Sequence, residues 1–325
     1  MFPSLKTLPK SVSVAVVAAI TLTALLLGES HAATYKVTRG DDRNMTTLNC
    51  PSSPSSDCSL REAMTLANAN QGADTIDIAV LTITLTIPAP ISVVGSGIAL
   101  NGNGVTIQRS LSASNFAIFM VSSNLPTVFH NLTIANGVEA AALSGGGGIF
   151  VAAGTILSIN NSTIKNNSAQ NGGAVYIDGN TVAAPTQVTL TNSSVLNNTY
   201  TASGGIFNGG GIYVEPNAKL TRNNTSVSGN TCAQNGGGLF VDGILVVTGG
   251  QISGNLASFL GGGTYYSGTA GAATLAEANF NGNIAQVSGG GVYAGGGTHH
   301  LGRRVFKQHS GIGWWRLVLC VSQRD

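Results

Sequence analysis

The chain has 325 residues, a net charge of +2 and only 9% charged residues, which argues against a disordered polyelectrolyte and against a nucleic-acid-binding surface. Its 44 glycines exceed the ordinary share but follow no Gly-X-Y period, so a collagen-like helix is excluded.

Residues 1–32 have the layout of a secretory signal peptide. Lys6 and Lys10 supply the positive region, and an apolar run extends from Val12 to Leu27. Ser30-His31-Ala32 is a small-x-small site for cleavage between Ala32 and Ala33. An uncleaved N-terminal anchor is the alternative reading of the same run. Both readings export the rest of the chain to a compartment where disulfides persist.

Residues 33–73 read as an N-terminal capping segment. Thr34 to Thr38 is strand-like, and a Pro/Ser-rich loop follows, bounded by Cys50 and Cys58. A local disulfide is expected here, worth about 2–3 kcal/mol, with two free thiols as the alternative. Ser59 and Glu62 have capping-box spacing, and Leu60, Ala63, Met64 and Ala67 recur at helical intervals. A short amphipathic helix from Ser59 to about Asn70 is predicted. At this position it would cover the open end of a stacked structure.

From Asp74 the apolar period becomes two. Ile76, Ile78, Ile83, Leu85 and Ile87 alternate with small or polar residues until Pro88 and Pro90. Ile91 to Val94, Gly97 to Leu100 and Val105 to Gln108 read as further strands, and Val128 to Ile134 opens a more regular series.

That series carries one recurring phrase, Gly-Gly-x-apolar-aromatic. Its aromatic positions are Phe150, Tyr176, Tyr213, Phe240, Tyr265 and Tyr293, with steps of 26, 37, 27, 25 and 28 residues. A second column accompanies it: Asn167, Asn198, Asn230, Asn255 and Asn283 each stand three residues after an apolar residue. A near-constant period of this length marks a stacked repeat. Rungs about 4.8 Å apart would stack like on like, so a parallel β-helix over residues 74–297 is predicted. The asparagines would hydrogen-bond from rung to rung at turns, glycine would turn the corners, and the aromatic column would fill or flank the core. The step of 37 implies inserted loops around 183–185 and 199–207.

Asp178, Glu215 and Asp242 occupy equivalent places in three consecutive repeats, two residues beyond the aromatic. A Ca²⁺ ion between them is one reading; turn chemistry, as in Asp178-Gly179 and Asp242-Gly243, is the other. The same three carboxylates are the candidates for a glycoside hydrolase, or for a polysaccharide lyase with Arg222 as proton abstractor. Only Lys219 and Arg222 bring positive charge near, and no histidine lies between Asn131 and Thr298. No catalytic residue and no cofactor is therefore assigned. The Asn-x-Ser/Thr triplets at Asn131 and Asn161 read as turns, and Cys232 as a lone thiol.

Residues 298–325 break the pattern. They hold both tryptophans, but read one base out of frame Trp314-Trp315 becomes Gly-Gly and Lys307-Gln308 becomes a pair drawn from Asn and Ser. Position 308 lies 25 residues after Asn283 and position 314 lies 25 after Gly289, in phase with the repeat. The tail is expected to be a frame-shifted further rung of a longer protein.

Two resemblances rest on these residues. Cys58-Ser59-Leu60-Arg61-Glu62-Ala63 resembles the signature of the CSLREA N-terminal domain. The glycine phrase with its asparagine resembles the repeats of chlamydial polymorphic outer-membrane proteins and autotransporter-like passengers. The resemblance implies an all-β, right-handed, pectate-lyase-like parallel β-helix, secreted or at the surface or outer membrane of a bacterium. It implies a structural or adhesin-like role toward a surface polymer, carbohydrate or host protein. Membrane association is expected only through the signal or through a C-terminal anchor missing from this chain.

Overall fold

The computed structural model describes residues 31–43, 50, 57–95, 97–123, 125–139, 145–180, 184–200, 207–267 and 273–295. Most of the expected signal segment, all of the expected frame-shifted tail and most of the loops expected around 183–185 and 199–207 lie outside these residues.

Each repeat winds into one turn of a parallel β-solenoid. In the turn beginning at residue 156, Ile156–Asn160 forms a long wall, Thr163–Lys165 a short wall and Ser168–Ala169 a two-residue stub; Val175–Ile177 forms a fourth wall bearing the aromatic residue. The next turn repeats this with Gln187–Thr191, Ser194–Leu196, Thr199–Tyr200 and Ile212–Val214. Every strand pairing among the described residues is parallel, and successive repeats stay in register, so Ile164 lies beside Val195 and Val195 beside Val227.

The aromatic wall is an eight-stranded sheet running from Ile91–Val93 to Val292–Ala294. The long and short walls are two branches of one 15-stranded sheet. They fork above Thr127–Ala135, whose first half pairs with Leu157 to Asn160 and whose last residues pair with Thr163 to Lys165. Below the fork the two strands expected at 97–100 and 105–108 are one, Ala99–Arg109, with an irregular register between Asn101 and Val105. The extra residues are absorbed as a bulge, which bends a strand without ending it.

Alternation decides what enters the core. Val188 and Leu190 from the long wall, Val195 from the short wall, and Ile212 and Val214 from the aromatic wall are each at most 1% exposed. Burying each such side chain contributes about 1.5–3 kcal/mol. At the corner between long and short walls Asn131, Asn161, Asn192 and Asn224 have φ of 52°, 50°, 49° and 46°, a left-handed conformation that asparagine tolerates. These Asn-x-Ser/Thr triplets are turns of the coil. The hydroxyls that follow stack inside: Ser162 Oγ accepts from Leu132 N at 3.3 Å, and Ser193 Oγ accepts from Ser162 N at 3.2 Å.

Asn167, Asn198, Asn230, Asn255 and Asn283 form a continuous buried ladder at the next corner. Asn198 Nδ2 donates to Asn230 Oδ1 at 2.9 Å, Asn230 Nδ2 to Asn255 Oδ1 at 2.9 Å, and Asn255 Nδ2 to Asn283 Oδ1 at 2.8 Å. Each Oδ1 also accepts the backbone N–H of the rung below, as from Asn198 to Asn230 at 2.9 Å. The glycine phrase is packed against this ladder. A Cβ added to Gly238 would lie 3.1 Å from the Asn255 amide and 2.5 Å from Gly263 O, so the two columns demand one another.

The helix α1, Leu60–Ala69, closes the N-terminal end. Its capping box is complete: Glu62 Oε2 accepts from Ser59 N at 2.7 Å, and Ser59 Oγ accepts from Glu62 N at 3.4 Å. Leu60, Ala63, Met64 and Ala67 are buried. The helix packs on Thr34–Val37, Thr75–Ile78 and Ile91–Val93. Ile91–Val93 is the edge of the aromatic wall, and side chains stand in for the strand it lacks below. Asn68 Nδ2 donates to Ser92 O at 2.7 Å, while Asn68 Oδ1 accepts from Val94 N at 2.9 Å. Arg61 donates to Ala89 O at 3.0 Å and Pro90 O at 3.2 Å and forks onto Asp42 at 2.7 and 3.1 Å. A disulfide joins Cys50 to Cys58 just before the helix. An exposed edge recruits other strands, and this one is covered.

Candidate functional site: the outer face of the aromatic wall

Tyr176, Tyr213 and Phe240 are flanked on both sides along the chain by inward apolar residues, so alternation turns the aromatic rings outward. Phe150, Tyr176, Tyr213, Phe240, Tyr265 and Tyr293 form one column, with centroids 5.4, 5.2, 4.8, 4.9 and 5.3 Å apart and planes within 9° of parallel. The column flanks the core and does not fill it. Ring faces within it are covered by neighbouring rings, and Tyr176, 6% exposed, is buried in the column.

Asp178, Glu215 and Asp242 lie beside this column on the same outer face, all half-buried. Each binds donors of its own. Tyr176 OH donates to Glu215, and Gly179 N donates to Glu215 Oε2 at 3.3 Å. Asp178 Oδ1 accepts from Asn180 N at 2.9 Å, and Ser267 Oγ donates to Asp242. Burial, and then the hydrogen bond to Glu215, pushes the Tyr176 hydroxyl far above its ordinary range. Burial, followed by the charges of Glu215 and Asp242, raises Tyr213 to about 12. Both phenols therefore stay protonated and neither serves as a base at neutral pH; Tyr176 is the one that donates, to Glu215.

The cations named with these carboxylates stand elsewhere. Lys219 and Arg222 belong to the long-wall strand Lys219–Asn223. The expectation of Arg222 as proton abstractor is corrected by its position. It points into the core between Leu190 and Val247, is 0% exposed, and Nη2 donates to Thr225 O at 2.6 Å. Among the described residues its Nε and Nη1 are buried without a partner, and burial lowers its guanidinium to about 10. The sequence held this signal: in Lys219-Leu220-Thr221-Arg222-Asn223, Arg222 shares the parity of Leu220.

The remaining expected residues are readily placed. Cys232 is a free, buried thiol whose Sγ lies 2.7 Å from Phe207 O, and burial raises it to about 12. Cys50, Cys58 and Glu62 are close enough together to hold a metal, but the two sulfurs are bonded to each other. Among the described residues no helix is long and apolar enough to cross a membrane. Sequence reasoning missed the edge-capping by Asn68 and Arg61 and the buried hydroxyl ladder. The hydroxyl ladder had a signal, since Ser162, Ser193 and Thr225 each follow an asparagine at a fixed place in the rung.

Fold and ladders together define a parallel β-solenoid of about seven turns. No protein-family model, curated protein or solved structure matches the chain.

Proposed function

We propose that this solenoid is an exported, non-enzymatic protein with a structural or adhesin-like role at a bacterial surface. It belongs beside the CSLREA-headed and polymorphic outer-membrane proteins that its motifs resemble. The observation that carries this reading is the regular outer face of the long wall. There Ser158, Thr189 and Thr221 pair in register, as do Asn160, Thr191 and Asn223. Such a face offers repeated hydroxyl and amide groups about 4.8 Å apart across rungs and about 6.6 Å apart along a strand, suited to an extended polymer. The separation of Asp178, Glu215 and Asp242 from Arg222 weighs against the alternative, a β-helix polysaccharide lyase or glycoside hydrolase.

Retention on immobilised surface polysaccharides and host-matrix proteins tests the reading. Thr189→Val and Thr221→Val on the solvated side should together cut retention about tenfold, because they remove hydroxyls that would bind the polymer without touching the core. Cleavage of pectin, alginate or a glycosaminoglycan, abolished by Asp178→Asn, Glu215→Gln or Asp242→Asn, would sink it.

A further inference from the structure

Asp74 is a buried carboxylate with an incomplete shell. It is 1% exposed. Its Oδ1 accepts from Ala33 N at 2.8 Å and from Asn70 Nδ2 at 2.7 Å, and its Oδ2 is buried without a partner among the described residues. Neither donor is charged, and a buried carboxylate held only by neutral groups is costly. Ala33 is fixed in place, because its carbonyl accepts from Thr75 N at 2.8 Å. Ala32, just before it, is exposed, and the compact solenoid unit begins there.

We propose that the leader is cut between Ala32 and Ala33 and that the new Ala33 α-ammonium pairs with Asp74, completing the N-terminal cap. In the hydrolysis the Ala32 C–Ala33 N bond breaks. The hydroxyl of water goes to the Ala32 carbonyl; the Ala33 nitrogen takes the remaining hydrogen and a proton from solvent. A single amide N–H thereby becomes an ammonium with three donors, placed where one already reaches Oδ1. The same event supplies the counter-charge that Asp74 lacks. The mature chain is therefore more firmly capped than its precursor, which suits a chain that crosses a membrane before folding. This inference rests on the exported reading above.

The test is a cycle of four proteins. One chain begins at Ala33, released from a cleavable fusion that leaves nothing before it; a second carries Ser30-His31-Ala32 in front. Each is made with Asp74 and with Asp74→Asn. The extension should lower the thermal midpoint by about 2–4 °C when Asp74 is present, and by much less with Asp74→Asn. Equal effects of the extension in both backgrounds would overturn the pairing. Should Asp74→Asn fail to fold, selective acylation of the Ala33 amine serves instead: a lowered midpoint supports the pairing and an unchanged one refutes it. The mass of the protein exported from the full chain should correspond to a start at Ala33, and any other start overturns the cleavage step. A protein that is cut and paired but binds no polymer defeats only the adhesive reading.

Discussion

Two polar columns run up this solenoid, and they solve the same problem differently. The asparagine column is at most 5% exposed, yet every amide in it has partners on the neighbouring rungs. The carboxylate column of Asp178, Glu215 and Asp242 stays half-buried on the outer face. An amide carries both donor and acceptor, so identical side chains complement each other at the rung spacing. An ionised carboxylate only accepts, so identical copies repel, and each takes a hydroxyl or backbone donor of its own. A third case, Arg222, is a charge in the interior with no ladder to join. A self-complementary group can be repeated through a solenoid core; a charge cannot.

Turning one asparagine into an acid merges the two columns and should give the largest effect. Asn230 Nδ2 donates to Val195 O, Ser228 O and Asn255 Oδ1 at 3.0, 3.2 and 2.9 Å. Asn230→Asp replaces that donor by an oxygen facing three acceptors in a buried site. A loss of about 3–5 kcal/mol is expected in urea unfolding; a loss no larger than that of an exposed Asn→Asp control would refute the ladder's role.

The opposite change removes the charge that has no ladder. Arg222→Met should be neutral or stabilising by up to about 4 kcal/mol, because it relieves two unpartnered buried nitrogens. The pH dependence has a definite sign. Burial lowers the guanidinium from 12.5 to about 10 in the folded chain. Between these values the unfolded chain holds more protons, so stability gains as pH rises through about 10. The stability of Arg222→Met relative to wild type, a comparison that cancels the tyrosines, should therefore shift in favour of wild type in that window. A constant difference from neutral pH to about pH 11 would refute this account.

The smallest effect is expected on the outer face. Asp242→Asn keeps an acceptor for Ser267 Oγ and should change stability by less than about 1 kcal/mol. The near-ultraviolet dichroism of the stacked rings should survive. Its loss would mean that the carboxylates help hold the aromatic column.

Much of this organisation is legible in the sequence because a solenoid brings equivalent positions together. A residue type recurring at each period lands on itself, so the glycine, asparagine and aromatic columns follow from the repeat spacing alone. The position of each column is harder to read. Val175-Tyr176-Ile177 is apolar throughout, and period-two alternation does not say which of three apolar residues faces out. Arg222 is legible in principle, through its parity with Leu220. The capping box of Ser59 and Glu62 is local and visible; the bonds from Asn68 to residues 92 and 94 join places with no shared pattern.

The chain's own order of residues thus specifies the repeat, the strand-forming runs, the left-handed turns and the helix start, since each depends on neighbours or on a fixed interval. Three-dimensional closure settles the rest. Where a corner falls decides whether a column is buried or solvated, as Asn230 and Glu215 show. It also decides which donors reach an edge strand, and which carboxylate waits for a charge. These outcomes depend on groups brought together across turns, where burial and hydrogen bonding, and not local propensity, set the energy.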